Sequence, residues 1–136
     1  ALTLVARGLR VPLVLIAPAF GVARRWQPRL PEGDTLTVFN YARNADAVIH
    51  RRFFDQIVAI EPEAEAPPVR TVIIMGRNDQ TVAFADVDSV WQRWSAQGVA
   101  PGSEFIEIPD GDHGLTAHAG RIAAELIEAV HDRNHP

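Results

Sequence analysis

Apolar residues follow two rhythms along this chain. Short, dense runs occur at residues 11–17, 69–75 and 105–108, each closed by Pro or Gly (Pro18, Gly76, Pro109). The run at 11–17, by its length and β-branched content, predicts a strand covered on both faces, as in a parallel sheet; 69–75 predicts a second buried strand and 105–108 a third short one. Residues 36–41 predict a further short strand, favoured by Thr35, Thr37 and Val38. Longer stripes repeat at three to four residues and predict helices at 1–7, 45–60, 85–97 and 119–130. The 45–60 stripe is Val48, Ile49, Phe53, Ile57 and Ile60; that of 85–97 is Val87, Val90, Trp91 and Trp94. The terminal stripe is Ile122, Ala123, Leu126, Ile127 and Val130. Gly8 and Gly98 are placed as helix C-caps.

The resulting order is helix, strand, an inserted section, strand, helix, strand, helix. Alternation of this kind predicts an α/β fold, a parallel sheet with flanking helices joined by right-handed crossovers. Residues 19–34 are rich in Arg, Pro and Gly, and residues 61–68 are acidic with Pro62, Pro67 and Pro68. Both segments predict irregular chain around an insertion spanning about 21–68, with a core of 1–20 and 69–136. Three main strands make a narrow sheet, whose edges need cover or pairing from outside the chain.

Composition narrows the chemistry. The 136 residues contain 13 Arg, no Lys and no Cys, which removes Schiff-base chemistry, thiol nucleophiles and thiolate metal sites. A net charge of −4 argues against a general nucleic-acid binder, which needs a basic face to displace counterions. The longest apolar stretch, 11–23, is interrupted by Pro12 and Pro18 and is shorter than the roughly 20 residues of a membrane span. With no charged leader at the start, the expected location is cytoplasmic.

In open parallel sheets the working residues lie at the carboxyl ends of strands. Two such loops are chemically loaded, Gly76-Arg77-Asn78-Asp79-Gln80-Thr81-Val82 and Pro109-Asp110-Gly111-Asp112-His113-Gly114-Leu115. If their strands are neighbours, Asp79 and His113 emerge side by side. A carboxylate there accepts one imidazole N–H and leaves the other nitrogen free as a base. Asp79 could instead close a turn, and Asp110 and Asp112 are alternative acids better suited to Asx-type bonds. The group Asp110, Asp112, His113 and His118 lacks a metal-ligand spacing. The doublets Arg24-Arg25 and Arg51-Arg52 fit a solvated face or an acidic substrate group. Trp26, Phe39, Tyr41, Phe53 and Phe54 fit either packing of the insertion or a substrate pocket.

These motifs resemble the C-terminal half of an α/β-hydrolase. Leu13-Val14-Leu15-Ile16-Ala17-Pro18-Ala19-Phe20 resembles the strand after the helix of the nucleophile elbow. The segment from Ile74 to Val82 resembles the family's acid-bearing "hGxxDxxV", and Gly111-Asp112-His113-Gly114-Leu115 its "xDHxL". The resemblance implies Asp79 as triad acid, His113 as catalytic histidine, no cofactor, and a lid at the insertion. It implies a serine hydrolase acting on ester, thioester or related acyl bonds of a small substrate. The family's G-x-S-x-G is absent, and Ser89, Ser95 and Ser103 do not top a strand-to-helix elbow. The expectation is therefore a nucleophile supplied by an N-terminal hydrolase half, a separate chain or a missing segment, with no catalysis by this chain alone. Related dehalogenases and epoxide hydrolases place Asp at that position. The rival reading is a non-catalytic binding or scaffold module on the same fold.

Overall fold

In chain order the elements are α1 (Leu2–Ala6), β1 (Leu13–Ile16), β2 (Thr35–Asn40), β3 (Ala45–His50), α2 (Arg51–Ile60), β4 (Thr71–Gly76), α3 (Phe84–Gln97), β5 (Glu104–Ile108) and α4 (Ala119–His131). A 3₁₀ turn, Thr116–His118, leads into α4. The computed structural model describes residues 1–21, 33–40, 43–60 and 63–131. Two compact units result, one of Ala1–Phe20 with Pro62–Pro136 and one of Gly21–Glu61.

The larger unit is built on a parallel sheet of order β1-β4-β5. β4 is central, and all six of its residues are buried, which is why its sequence is apolar on both faces. Its alternate side chains feed two cores. Ile73 and Met75 pack with Phe20, Val82 and the α3 residues Val87, Val90 and Trp94. Val72 and Ile74 pack with Ile106, Ile108 and Leu115 on the other face. Each such aliphatic side chain contributes about 1.5–3 kcal/mol on burial, so β4 is the energetic spine of the unit. The α3 stripe holds, with Trp91 half-buried and stacked on Phe105 at 6.0 Å between centroids.

α4 departs from its predicted stripe. Ile122 packs on the second core, but Ile127 is 58% exposed and Ala123 is exposed. Among the described residues of the stripe, Ile122 is the one packed against that cluster. Val130 is outside the described side chains.

Trp94 is fully buried and makes an unusual pair of contacts. Phe20 meets its ring edge-on at 5.5 Å, and its Nε1–H donates to the Glu63 carbonyl at 3.0 Å. Arg93 Nη2 donates to the same carbonyl at 2.9 Å, and Gln97 accepts from Ala66 N at 2.8 Å and donates to Ala64 O at 3.3 Å. The prolines of 63–68 block regular structure, and side chains of α3 satisfy the backbone there instead.

The smaller unit corrects the expected 45–60 helix. Residues 45–50 form β3, antiparallel to β2, and only Arg51–Ile60 is helical. Val48 and Ile49 suit a strand, and alternation along the hairpin puts Leu36 opposite Ile49 and Val38 opposite Ala47 on its better-buried face. Asn44 takes the left-handed conformation (φ 48°) that a tight hairpin turn requires, and Asn40 Oδ1 accepts from Arg43 N. Arg51 then starts α2, its amide donating to Asp34 O at 2.8 Å and its guanidinium to Gly33 O. The strand predicted at 36–41 is realised as Thr35–Asn40; Tyr41 lies outside the described residues.

Candidate functional site

β4 and β5 are parallel neighbours with Gly76 opposite Ile108, so the loops that follow them leave the same sheet edge. They are also joined. Arg77 N donates to Ile108 O and Asn78 N to Gly111 O, both at 2.9 Å. Such close approach of two backbones needs residues without side chains. A methyl group at Gly76 would collide with the Gly111 carbonyl and lie 2.8 Å from Asp112 O. One at Gly111 would lie 3.0 Å from Gly76 Cα, 2.6 Å from Leu115 Cδ2 and 2.8 Å from Ile108 Cγ2. Outside this crossing, Arg77 forms a two-pronged ion pair with Glu107 (2.6 and 2.7 Å) and lies 4.7 Å over the Phe84 ring. The pair lowers the Glu107 carboxyl and raises the Arg77 guanidinium.

The crossing brings Asp79 and His113 together, with Asp79 Oδ2 2.9 Å from His113 Nδ1. The other carboxylate oxygen, Oδ1, accepts the amides of Thr81 at 2.7 Å and Val82 at 2.8 Å. Asp79 therefore closes its own turn with one oxygen and holds the histidine with the other. Burial pushes the Asp79 carboxyl up, but the Val82 amide, His113 and the Thr81 amide together outweigh it and hold the group below the usual carboxylate range. An ionised carboxylate can only accept, so the imidazole proton sits on Nδ1. Asp79's side chain is 0% exposed and that of His113 48%, so the acid is hidden and the imidazole reachable. No hydrogen bond within the described residues occupies His113 Nε2. The arrangement can accept a proton at Nε2 and stabilise the resulting imidazolium from behind.

The other candidates are placed differently. Asp112 Oδ1 accepts the Leu115 amide at 2.8 Å, the turn-closing bond expected of it. Asp110 makes no such bond among the described residues; its Oδ1 lies 3.3 Å from His118 Nε2. Among the described residues no group of three or more His, Cys, Asp or Glu is placed to hold a metal ion. Ser89 and Ser95 lie on α3, where Ser89 donates to Asp86 O, and Ser103 accepts from Thr71 N at the opposite end of the sheet. In the insertion Phe54 is buried while Phe39 and Phe53 are about half exposed; Arg24, Arg25, Trp26 and Tyr41 lie outside the described residues. Sequence reasoning missed Gly76, Gly111 and Leu115 as builders of the site. Their signal is a glycine at the end of β4 and another three residues beyond the end of β5, which has meaning only once the strand register is known.

No helix among the described residues is long and apolar enough to cross a membrane. No protein-family model matches the chain, and no curated protein matches it. Solved structures do. A putative hydrolase from Agrobacterium vitis S4 superposes with a TM-score of 0.73 at 17% identity, over 94% of this chain and 56% of its own. Mouse α/β-hydrolase domain-containing protein 10 gives 0.71 at 17%, over 97% and 57%. Est1E from Butyrivibrio proteoclasticus, with ferulic acid bound, gives 0.65 at 13%, over 95% and 55%. The chain therefore has the α/β-hydrolase fold and spans a little over half the length of these neighbours.

Proposed function

We propose that this chain supplies the base and orienting acid of a hydrolase that cleaves ester, thioester or related acyl bonds. The carrying observation is the Asp79–His113 pair at the carboxyl ends of adjacent strands, with Nε2 open and none of the three serines beside it. The nucleophile comes from a polypeptide segment outside these residues, on the pattern of a serine in G-x-S-x-G. In the completed site His113 Nε2 takes the proton of the serine hydroxyl as its oxygen adds to the acyl carbonyl. It then gives that proton to the departing alkoxide or thiolate. Water repeats the cycle on the acyl-enzyme, losing its proton to Nε2 and releasing the acid. Asp79 keeps the imidazole in the Nδ1–H tautomer throughout and stabilises its charged form. The α/β-hydrolase neighbours support this reading at the level of the fold.

The test is to complete the chain with a segment carrying G-x-S-x-G, by fusion or co-expression, and to follow p-nitrophenyl ester hydrolysis. His113→Ala and Asp79→Asn are each expected to lower turnover about 10⁴-fold. Activity within tenfold of the parent in His113→Ala refutes the assignment. Absence of turnover in every completed form favours a binding module instead.

A further inference from the structure

Leu115 combines features that ordinary core packing does not require. It is 1% exposed, yet its backbone is left-handed (φ 48°, ψ 21°), a conformation disfavoured for a branched side chain. Its amide is tied to Asp112 Oδ1 at 2.8 Å, and its carbonyl accepts from His118 N at 2.9 Å. The Asp112–Leu115 bond spans His113 and Gly114, so the histidine sits inside a closed turn. The Leu115 side chain lies directly against Gly111, and Gly111 against Gly76, from which the Asp79 loop departs. Leucine, glycine and glycine thus form one continuous stack from the histidine turn to the root of the acid loop.

We infer that Leu115, held by the Asp112 carboxylate, is a positioning residue that sets His113 against Asp79. This rests on the reading of that pair as base and orienting acid. The unfavourable backbone persists because the surrounding contacts determine it from both sides: the apolar core takes the side chain and Asp112 takes the amide. Shortening Leu115 removes the support under Gly111, and removing the Asp112 acceptor opens the turn. Either change lets the imidazole swing from the Asp79 oxygen without touching either member of the pair.

The experiment records imidazole ¹⁵N shifts of the intact chain at alkaline pH, where the neutral ring reports its tautomer, alongside thermal unfolding. The parent is expected to show His113 as a single Nδ1–H tautomer. Leu115→Ala and Asp112→Ala are each expected to give a mixture of tautomers, while Leu115→Met and Asp112→Asn retain the single form. A purely structural role predicts a lower melting temperature in Leu115→Ala with the tautomer unchanged, and that result overturns the inference. If Leu115→Ala does not fold, Asp112→Ala decides alone: a folded Asp112→Ala with the parent pattern overturns it equally. A mixture already present in the parent refutes the pair itself, which separates that failure from a failure of Leu115's role.

Discussion

Gly76→Ala tests the backbone crossing on which the site depends. The new methyl group would lie 2.6 Å from the Gly111 carbonyl carbon and 2.8 Å from Asp112 O, whereas ordinary contact begins at 3.4 Å. Neither obstacle is the tip of a flexible side chain, so the two loop roots must part by roughly 1 Å. Arg77 N to Ile108 O and Asn78 N to Gly111 O, both 2.9 Å, would then exceed hydrogen-bonding distance. Two lost backbone bonds at about 1 kcal/mol each, added to overpacking of about 1–3 kcal/mol, give a destabilisation of about 3–5 kcal/mol. Urea unfolding of parent and variant measures it. In a completed enzyme the same displacement should cost about 10²-fold in turnover, because proton transfer to Nε2 depends on where the imidazole stands. Gly120→Ala is the control: it lies in the first turn of α4 with open space around it, and should be neutral or stabilise by up to about 1 kcal/mol. A Gly76→Ala variant within about 0.5 kcal/mol of the parent would refute the crossing as described.

Two further outcomes follow from the same geometry. Asp79 is held below the usual carboxylate range, so its contribution to stability is full above that range and fades as pH falls through its depressed value. The melting-temperature gap between the parent and Asp79→Asn should thus be widest near neutrality and narrow in acid; a gap that widens in acid contradicts the assignment. Trp94→Phe keeps a ring for Phe20 but removes the donor to Glu63 O and leaves a small void in a fully buried site, with an expected cost of about 2 kcal/mol. Amide exchange over 63–66 should quicken while that of β4 stays unchanged, and identical exchange in both segments argues against the clamp.

The central strand was legible because burial on both faces leaves a nearly unbroken apolar stretch, as in Ile73, Ile74 and Met75; β1, expected to be covered on both faces, is only partly buried, as is β5. The two charged loops followed from those strand ends. Residues 45–50 were not legible: Val48 and Ile49 fit a helical stripe with Phe53 and Ile57 as readily as they fit alternation. Only pairing with Thr35–Asn40 separates the two, and pairing is a non-local fact. The same holds for Gly76 and Gly111. Each reads as turn chemistry by itself, and their contact exists only because β4 and β5 stand in one register.

The buried indole of Trp94 carries a consequence for how this fold tolerates change. Phe20 and Glu63 both rest on it, so the chain leaves the sheet-bearing unit and rejoins it at one indole's breadth. What separates those two points in sequence is a unit with its own hairpin and helix. Closing a chain between two such near points costs only about 0.6 kcal/mol more for each doubling of its length, so length there is a small term beside the packing of the sheet. The indole thus fixes the two points that flank residues 21–61 through contacts lying wholly within the sheet-bearing unit.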